Sequence, residues 1–145
     1  MDIVIGVPVY EGKSYVFNKF IENQVKIKKS TALETSIIFS TESPDYASRL
    51  DTMLNNTGLD YKIVVFSINP ELDFQINNIT LARESIRQEF LKTNAQYLAF
   101  IDSDLTFDKN LLNILIGKLQ QNDVIYNSYR SYAVDRKIFI CCYVI

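Results

Sequence analysis

Two carboxylates two residues apart, Asp102 and Asp104, flank Ser103 directly after the apolar run Tyr97-Leu98-Ala99-Phe100-Ile101. Hard oxygen ligands of this kind suit Mg2+ or Mn2+, and an ion held by them can bridge to phosphate oxygens. If the chain stays extended past the run, both carboxylates point the same way. Asp-Ser-Asp is equally a turn with a helix cap, so the spacing by itself also admits a purely structural role. Arg83 precedes the same run, with Arg87 one turn later on the same helical face. Placed in the first turn of a helix, Arg83 opposes the macrodipole and calls for an anion nearby. Arg87 reads as a surface partner of Glu84 or Glu89.

Several chemistries are excluded. The chain has no histidine, which removes Ser-His-Asp triads, Cys-His pairs and histidine-ligated zinc or haem. After the first apolar run stands Val-Pro-Val-Tyr-Glu-Gly-Lys (residues 7–13), not a Gly-x-Gly-x-x-Gly turn, and no Gly-x-x-x-x-Gly-Lys-Ser/Thr loop exists. With four glycines in all, a glycine-rich cradle for phosphate is ruled out. Fifteen basic against 17 acidic residues leave a net charge of −2, so no bulk positive field holds nucleic acid or an anionic membrane.

The elements that must position these residues alternate. Ile3 to Tyr10 is a nearly continuous apolar run, as in a parallel strand covered on both faces. Residues 14–29 place Phe17, Phe20, Ile21, Gln24 and Val25 at helical spacing, with Lys26, Lys28 and Lys29 in the last turn. Thr35 to Thr41 reads as a second strand. Ser43-Pro44-Asp45 starts a helix carrying Tyr46, Ala47, Leu50 and Leu54, which stops at Asn55-Asn56-Thr57-Gly58. Tyr61 to Ile68 is a third strand, followed by a polar loop through Asn69, Pro70 and Asn78. A helix from about Thr80 to Lys92 aligns Ile79, Ala82, Ile86 and Phe90. Gln96 to Ile101 is the fourth strand. Thr106 or Asp108 opens a helix bearing Leu111, Leu112, Leu115, Ile116 and Leu119, and Val124–Tyr129 and Lys137–Ile145 are further strands. This is an α/β pattern: a mostly parallel central sheet with helices on both faces, in a single domain over residues 1–145.

In such sheets ligands sit at the carboxyl ends of the strands, where strand order reverses. The residues to inspect are therefore Pro8–Glu11, Ser40–Glu42, Ser67–Asn69 and Asp102–Asp104. Cys141 and Cys142 are adjacent, cannot bridge across a loop, and read as small apolar strand residues in a reducing cytoplasm. No basic leader with a cleavage site follows Met1 and no run reaches membrane-spanning length. The terminal run Ile138–Ile145 would invite a second copy if it were an uncovered edge strand; an internal strand under the preceding helices is the alternative.

Taken in order, these segments resemble a glycosyltransferase of the GT-A type, similar to the family 2 nucleotide-sugar transferases, with their Rossmann-like GT-A fold. Ile5-Gly6-Val7-Pro8-Val9-Tyr10 is similar to the family's first strand, Ala82-Arg83-Glu84 to its Ala-Arg-Asn segment, and Tyr97 to Asp104 to its fourth strand with the Asp-x-Asp signature. The resemblance implies transfer of a sugar from a nucleotide-diphosphate donor to an unknown acceptor, with a divalent cofactor, Mn2+ or Mg2+. It implies that Pro8, Val9 and Tyr10 line the base pocket, with Glu11 at its mouth. Thr41 or Glu42 stands where the family often has a base-contacting aspartate. Asp102, beside Ser103, approaches ribose or metal, and Asp104 ligates the metal. Asp102, Asp104 and Arg83 then serve catalysis, the metal and Arg83 stabilising charge on the departing diphosphate. Tyr129-Arg130 resembles a Tyr-Arg segment of some relatives. An inverting enzyme also needs a carboxylate base. Downstream of Asp108 only Asp123 and Asp135 are acidic, neither in a base motif, and no base is assigned. At 145 residues the chain is expected to be a short form lacking most of the acceptor-binding half. The other readings are a non-catalytic nucleotide-sugar-binding module completed by a partner and, ranked last, a nucleotidyltransferase.

Overall fold

The computed structural model describes residues 2–68, 75–119, 125–130 and 138–144. Strands β1 (Ile3–Pro8), β2 (Thr35–Thr41), β3 (Tyr61–Val65), β4 (Tyr97–Phe100), β5 (Ile125–Arg130) and β6 (Ile138–Val144) form one sheet in the order β3-β2-β1-β4-β6-β5. The pairs β1–β2, β2–β3 and β1–β4 are parallel, while β6 runs antiparallel to both β4 and β5. The mostly parallel α/β architecture is thus as expected. The terminal run is an internal strand with β5 outside it, so β6 presents no open edge to a second copy.

Helices α1 (Ser14–Ser30), α2 (Pro44–Leu54) and α4 (Leu111–Leu119) cover one face, and α3 (Gln75–Phe90) covers the other. Period-2 alternation divides β1 between them. Ile3, Ile5, Val7 and Val9 join Phe17, Phe20, Leu50, Leu54 and Leu112 in one core. Val4 packs with Ile38, Ile86, Leu98 and Phe100 in the other. Each such fully buried large apolar side chain contributes about 1.5–3 kcal/mol relative to exposure. Phe17, Phe20 and Phe39 meet with ring centroids 5.6–6.5 Å apart, two of the three contacts edge-on. Gln24 sits on the same apolar face of α1, 2% exposed, with neither amide atom hydrogen-bonded.

Local signals account for α2: the Ser43 hydroxyl accepts from the Tyr46 amide at 3.1 Å, Pro44 is the first helical residue, and Gly58 takes a φ of 70° after the helix. Two helices begin elsewhere than expected. Helix α3 starts at Gln75, not near Thr80, because the weak propensity of Asn77 and Asn78 is overridden by packing of α3 across β1 and β2. Ile79, one turn before Ala82 on the same helical face, is nevertheless 38% exposed. Helix α4 starts at Leu111, after both Thr106 and Asp108. Asn23 of α1 clamps the backbone of Phe107 from both sides, donating to its carbonyl at 2.9 Å and accepting from its amide at 3.1 Å. Asp108 then caps a turn, its carboxylate accepting from the Asn110 amide at 2.8 Å.

One close approach positions the rest. A Cβ on Gly6 would lie 2.6 Å from Cγ2 of Ile86 and 3.2 Å from the Phe100 ring, so α3 can pack against β1 at this distance only over a glycine. Ile86 is β-branched and stiff, and cannot swing away. Gly6→Ala is expected to lower unfolding stability by about 1–3 kcal/mol, through overpacking. Urea unfolding of the two proteins measures this, and an unchanged midpoint would contradict the packing described.

Candidate functional site

Strands β1 and β4 lie side by side with Gly6 opposite Phe100, and the Ile101 amide donates to the Gly6 carbonyl at 2.9 Å. Chain leaving β1 runs on toward β2 and β3 on one side, while β4 lies on the other, so this is the point where strand order reverses. Pro8, Tyr10, Lys13, Ile79, Arg83, Asp102, Ser103 and Asp104 line a cleft of about 190 Å³ there. Six of these residues, Pro8, Tyr10, Arg83, Asp102, Ser103 and Asp104, are candidate site residues of the sequence, and they come together from three separate segments.

The chain does not stay extended through Asp102–Asp104. It turns, the Asp102 carbonyl accepting from the Leu105 amide at 3.1 Å, and the turn itself presents both carboxylates to the cleft. Ser103 is 6% exposed beneath them. Arg83 lies about two turns inside α3 rather than in its first turn, so the helix dipole is not what it answers. Its guanidinium stands 3.5 Å from an Asp102 oxygen and 5.8 Å from the centroid of the Phe100 ring, which supplies a cation–π contact. Arg87 instead makes a two-pronged pair with Glu84, both contacts 2.8 Å, and those bonds with one from Gln88 hold the Glu84 carboxyl down at about 2.

Buried polar atoms gather at the floor. The Tyr10 hydroxyl, one Glu42 carboxylate oxygen and the Arg83 Nε are all buried without a hydrogen-bond partner. Such atoms are costly to leave unpaired, so the three give this end of the sheet spare capacity to bond a polar group. Burial pushes the Tyr10 phenol up to about 12, Glu42 adding to the rise, Arg83 opposing it and Asp102 adding a little more. The neutral phenol is therefore a hydrogen-bond donor throughout the physiological range.

Other expected residues sit apart from the cleft. Val9 is fully buried in the core, offering only backbone, and its amide is taken by the Ser40 carbonyl at 2.9 Å. Thr41 is fully buried, its hydroxyl 3.4 Å from the Ser43 amide. Glu11 turns outward to an ion pair with Arg49 of α2, which also lies over the Tyr46 ring. Tyr129 and Arg130 fall in β5 and Cys141 and Cys142 in β6, but their side chains lie outside the described residues, as do Asn69, Pro70, Asp123 and Asp135 altogether.

Two lining residues were not anticipated. Lys13 ends a 3-10 turn, Glu11–Lys13, and its ammonium donates to Asp104 at 2.6 Å, a bond that raises the Lys13 pKa. Its place directly after the first strand was the available signal. Ile79, which helical spacing aligns with Ala82 and Ile86, is exposed at the cleft. Among the described residues no three acidic or cysteine side chains cluster as a self-sufficient metal cage. Asp102 and Asp104 fit an ion that takes its remaining ligands from a bound phosphate and water, as Mg2+ commonly does.

No protein-family model and no curated protein matches the chain. Solved structures do match. The crystal structure of S. aureus TarS is similar with a TM-score of 0.56 and 13% identity, over 87% of this chain and 21% of TarS. TarS 1-349 in complex with UDP matches at 0.52 and 15%, over 87% of this chain and 34% of that one. A protein described as a nucleotide-diphospho-sugar transferase from Desulfovibrio desulfuricans G20 matches at 0.58 and 11%, over 99% of this chain and 64% of that one. The chain shares the fold of these three structures and spans between 21% and 64% of their lengths. Among the described residues no helix is long and apolar enough to cross a membrane.

Tyr10 offers a direct check on the burial of this floor. Because its folded pKa lies above the unfolded value of 10.0, its contribution to stability is full below that pH and is lost as pH rises through about 12. Followed by the tyrosine ring-carbon shift in NMR, Tyr10 is expected to stay protonated past pH 10 and to titrate near 12. A midpoint at 10 would contradict it.

Proposed function

We propose that this chain binds a nucleoside-diphosphate sugar with a divalent ion in the β1–β4 cleft and serves transfer of the sugar to an acceptor. The observation that carries the reading is the convergence of Pro8, Tyr10, Arg83, Asp102 and Asp104 on one cleft at the strand-order reversal of this fold. Pro8 and Tyr10 are suited to the base, with Glu42 beside Tyr10 as an acceptor for a ring N–H. The unpaired Nε of Arg83 is suited to a phosphate or ribose oxygen.

Charge supports a metal. At and beside the cleft, Lys13 and Arg83 are cationic while Glu42, Asp102 and Asp104 are carboxylates. An anionic diphosphate is repelled by that balance unless a divalent ion accompanies it. Asp104, with Asp102 beside it, would hold the ion, which when bound supplies Lewis-acid stabilisation of the leaving diphosphate. Arg83 holds its positive charge where that negative charge develops, fixed from below by the Phe100 ring. The neutral Tyr10 hydroxyl donates a hydrogen bond without adding repulsion.

A second reading, a donor-binding module without turnover, is favoured by one feature: both motif carboxylates already face cations, leaving neither poised as a base. Release of sugar or its transfer from a UDP-sugar by this chain counts against that module. Calorimetry with UDP and with GDP, with and without Mn2+, tests the parent reading. At least one nucleotide is expected to bind in a Mn2+-dependent way, and Asp104→Ala to weaken that binding at least about tenfold. Nucleotide binding indifferent to both Mn2+ and Asp104→Ala would sink the proposal.

A further inference from the structure

We infer that Lys13 is a resident counter-ion for Asp104, holding the place a divalent ion takes and passing to the diphosphate when the ion arrives. The inference rests on the nucleotide-sugar reading above and concerns how that same site is loaded. In the structure the Lys13 ammonium lies 2.6 Å from Asp104 Oδ2, across 91 residues of sequence, and both residues line the cleft. One carboxylate oxygen cannot accept a close ammonium and a divalent ion on the same side, since two cations at contact distance repel strongly. Lys13 and an ion taken on Oδ2 are therefore alternative partners of that oxygen.

Local structure allows the exchange. The Lys13 side chain is 48% exposed and Asp104 35%, so neither is locked by packing. A Cβ on Gly12, just before Lys13, would meet nothing within 4 Å. Glu11, in the same turn, pairs separately with Arg49, so the Lys13 side chain can leave Asp104 while that contact persists. Released from Asp104, the ammonium is left at the cleft that also holds Arg83 and Ser103, within reach of a phosphate oxygen there. Metal and nucleotide then bind cooperatively: the ion alone must displace Lys13, whereas ion and diphosphate together give Lys13 a new anionic partner.

The signature is a pair of opposite effects on one substitution. Mn2+ binding without nucleotide, read by the loss of free-ion signal in electron paramagnetic resonance, is expected to be about two- to fivefold tighter in Lys13→Met, the scale of an exposed ion pair. UDP binding at saturating Mn2+, read by calorimetry, is expected to be about tenfold weaker in the same variant. Lys13→Arg, which keeps the charge, is expected to return both values toward wild type. A merely structural role would weaken both in Lys13→Met. Equal or weaker Mn2+ binding by Lys13→Met, or Mn2+ binding by neither protein, overturns the counter-ion role; unchanged UDP affinity overturns the transfer to diphosphate. If neither protein bound UDP at any Mn2+ concentration, the nucleotide reading and with it the transfer step would fall, while the Mn2+ comparison would still decide the Lys13–Asp104 competition.

Discussion

Gly6 and Phe100 face each other across the β1–β4 ladder, and the cleft depends on that contact. Without a side chain at Gly6, α3 settles onto the sheet through Ile86, and Arg83, one turn earlier, comes over the Phe100 ring. The parallel register of the two strands then releases Pro8–Tyr10 and Asp102–Asp104 at the same edge. Backbone geometry, rather than any glycine-rich loop, brings an aromatic hydroxyl, a guanidinium and two carboxylates together.

Charge organises what geometry assembles. Every carboxylate of the Asp-x-Asp turn faces a cation, Asp102 toward Arg83 and Asp104 toward Lys13. The short turn after β1 is held at both ends, through Glu11 to α2 and through Lys13 to the turn after β4. The two ion pairs are partly exposed and worth little to stability individually. Their effect is to tether the turn between the two strand ends.

Much of this was legible in the sequence because its signals are local. β-branched runs marked β1 and β2, Ser43-Pro44 marked the start of α2 to the residue, and Asp102-Ser103-Asp104 marked the end of β4. What was not legible depends on contacts between distant segments. The start of α4 is set by Asn23 gripping Phe107, and that of α3 by packing on the sheet, which takes Arg83 out of the first turn. The pairing of Lys13 is hidden in the sequence because its partner, Asp104, lies 91 residues along the chain. Glu11, read as lining the pocket mouth, is drawn away by Arg49, a cation on a surface helix that no motif points to. Chain order likewise hides that β6 inserts between β4 and β5.

The proposed meeting place of a nucleoside diphosphate and a divalent ion is the edge between β1 and β4. Diffraction from crystals soaked with Mn2+ and UDP, with anomalous scattering to locate the metal, tests it most directly. The account predicts a Mn2+ peak about 2.0–2.2 Å from an Asp104 carboxylate oxygen, shared with the diphosphate, and the base against Tyr10. Nucleotide bound away from Pro8, Tyr10 and Arg83, or Mn2+ located without contact to Asp104, would contradict it.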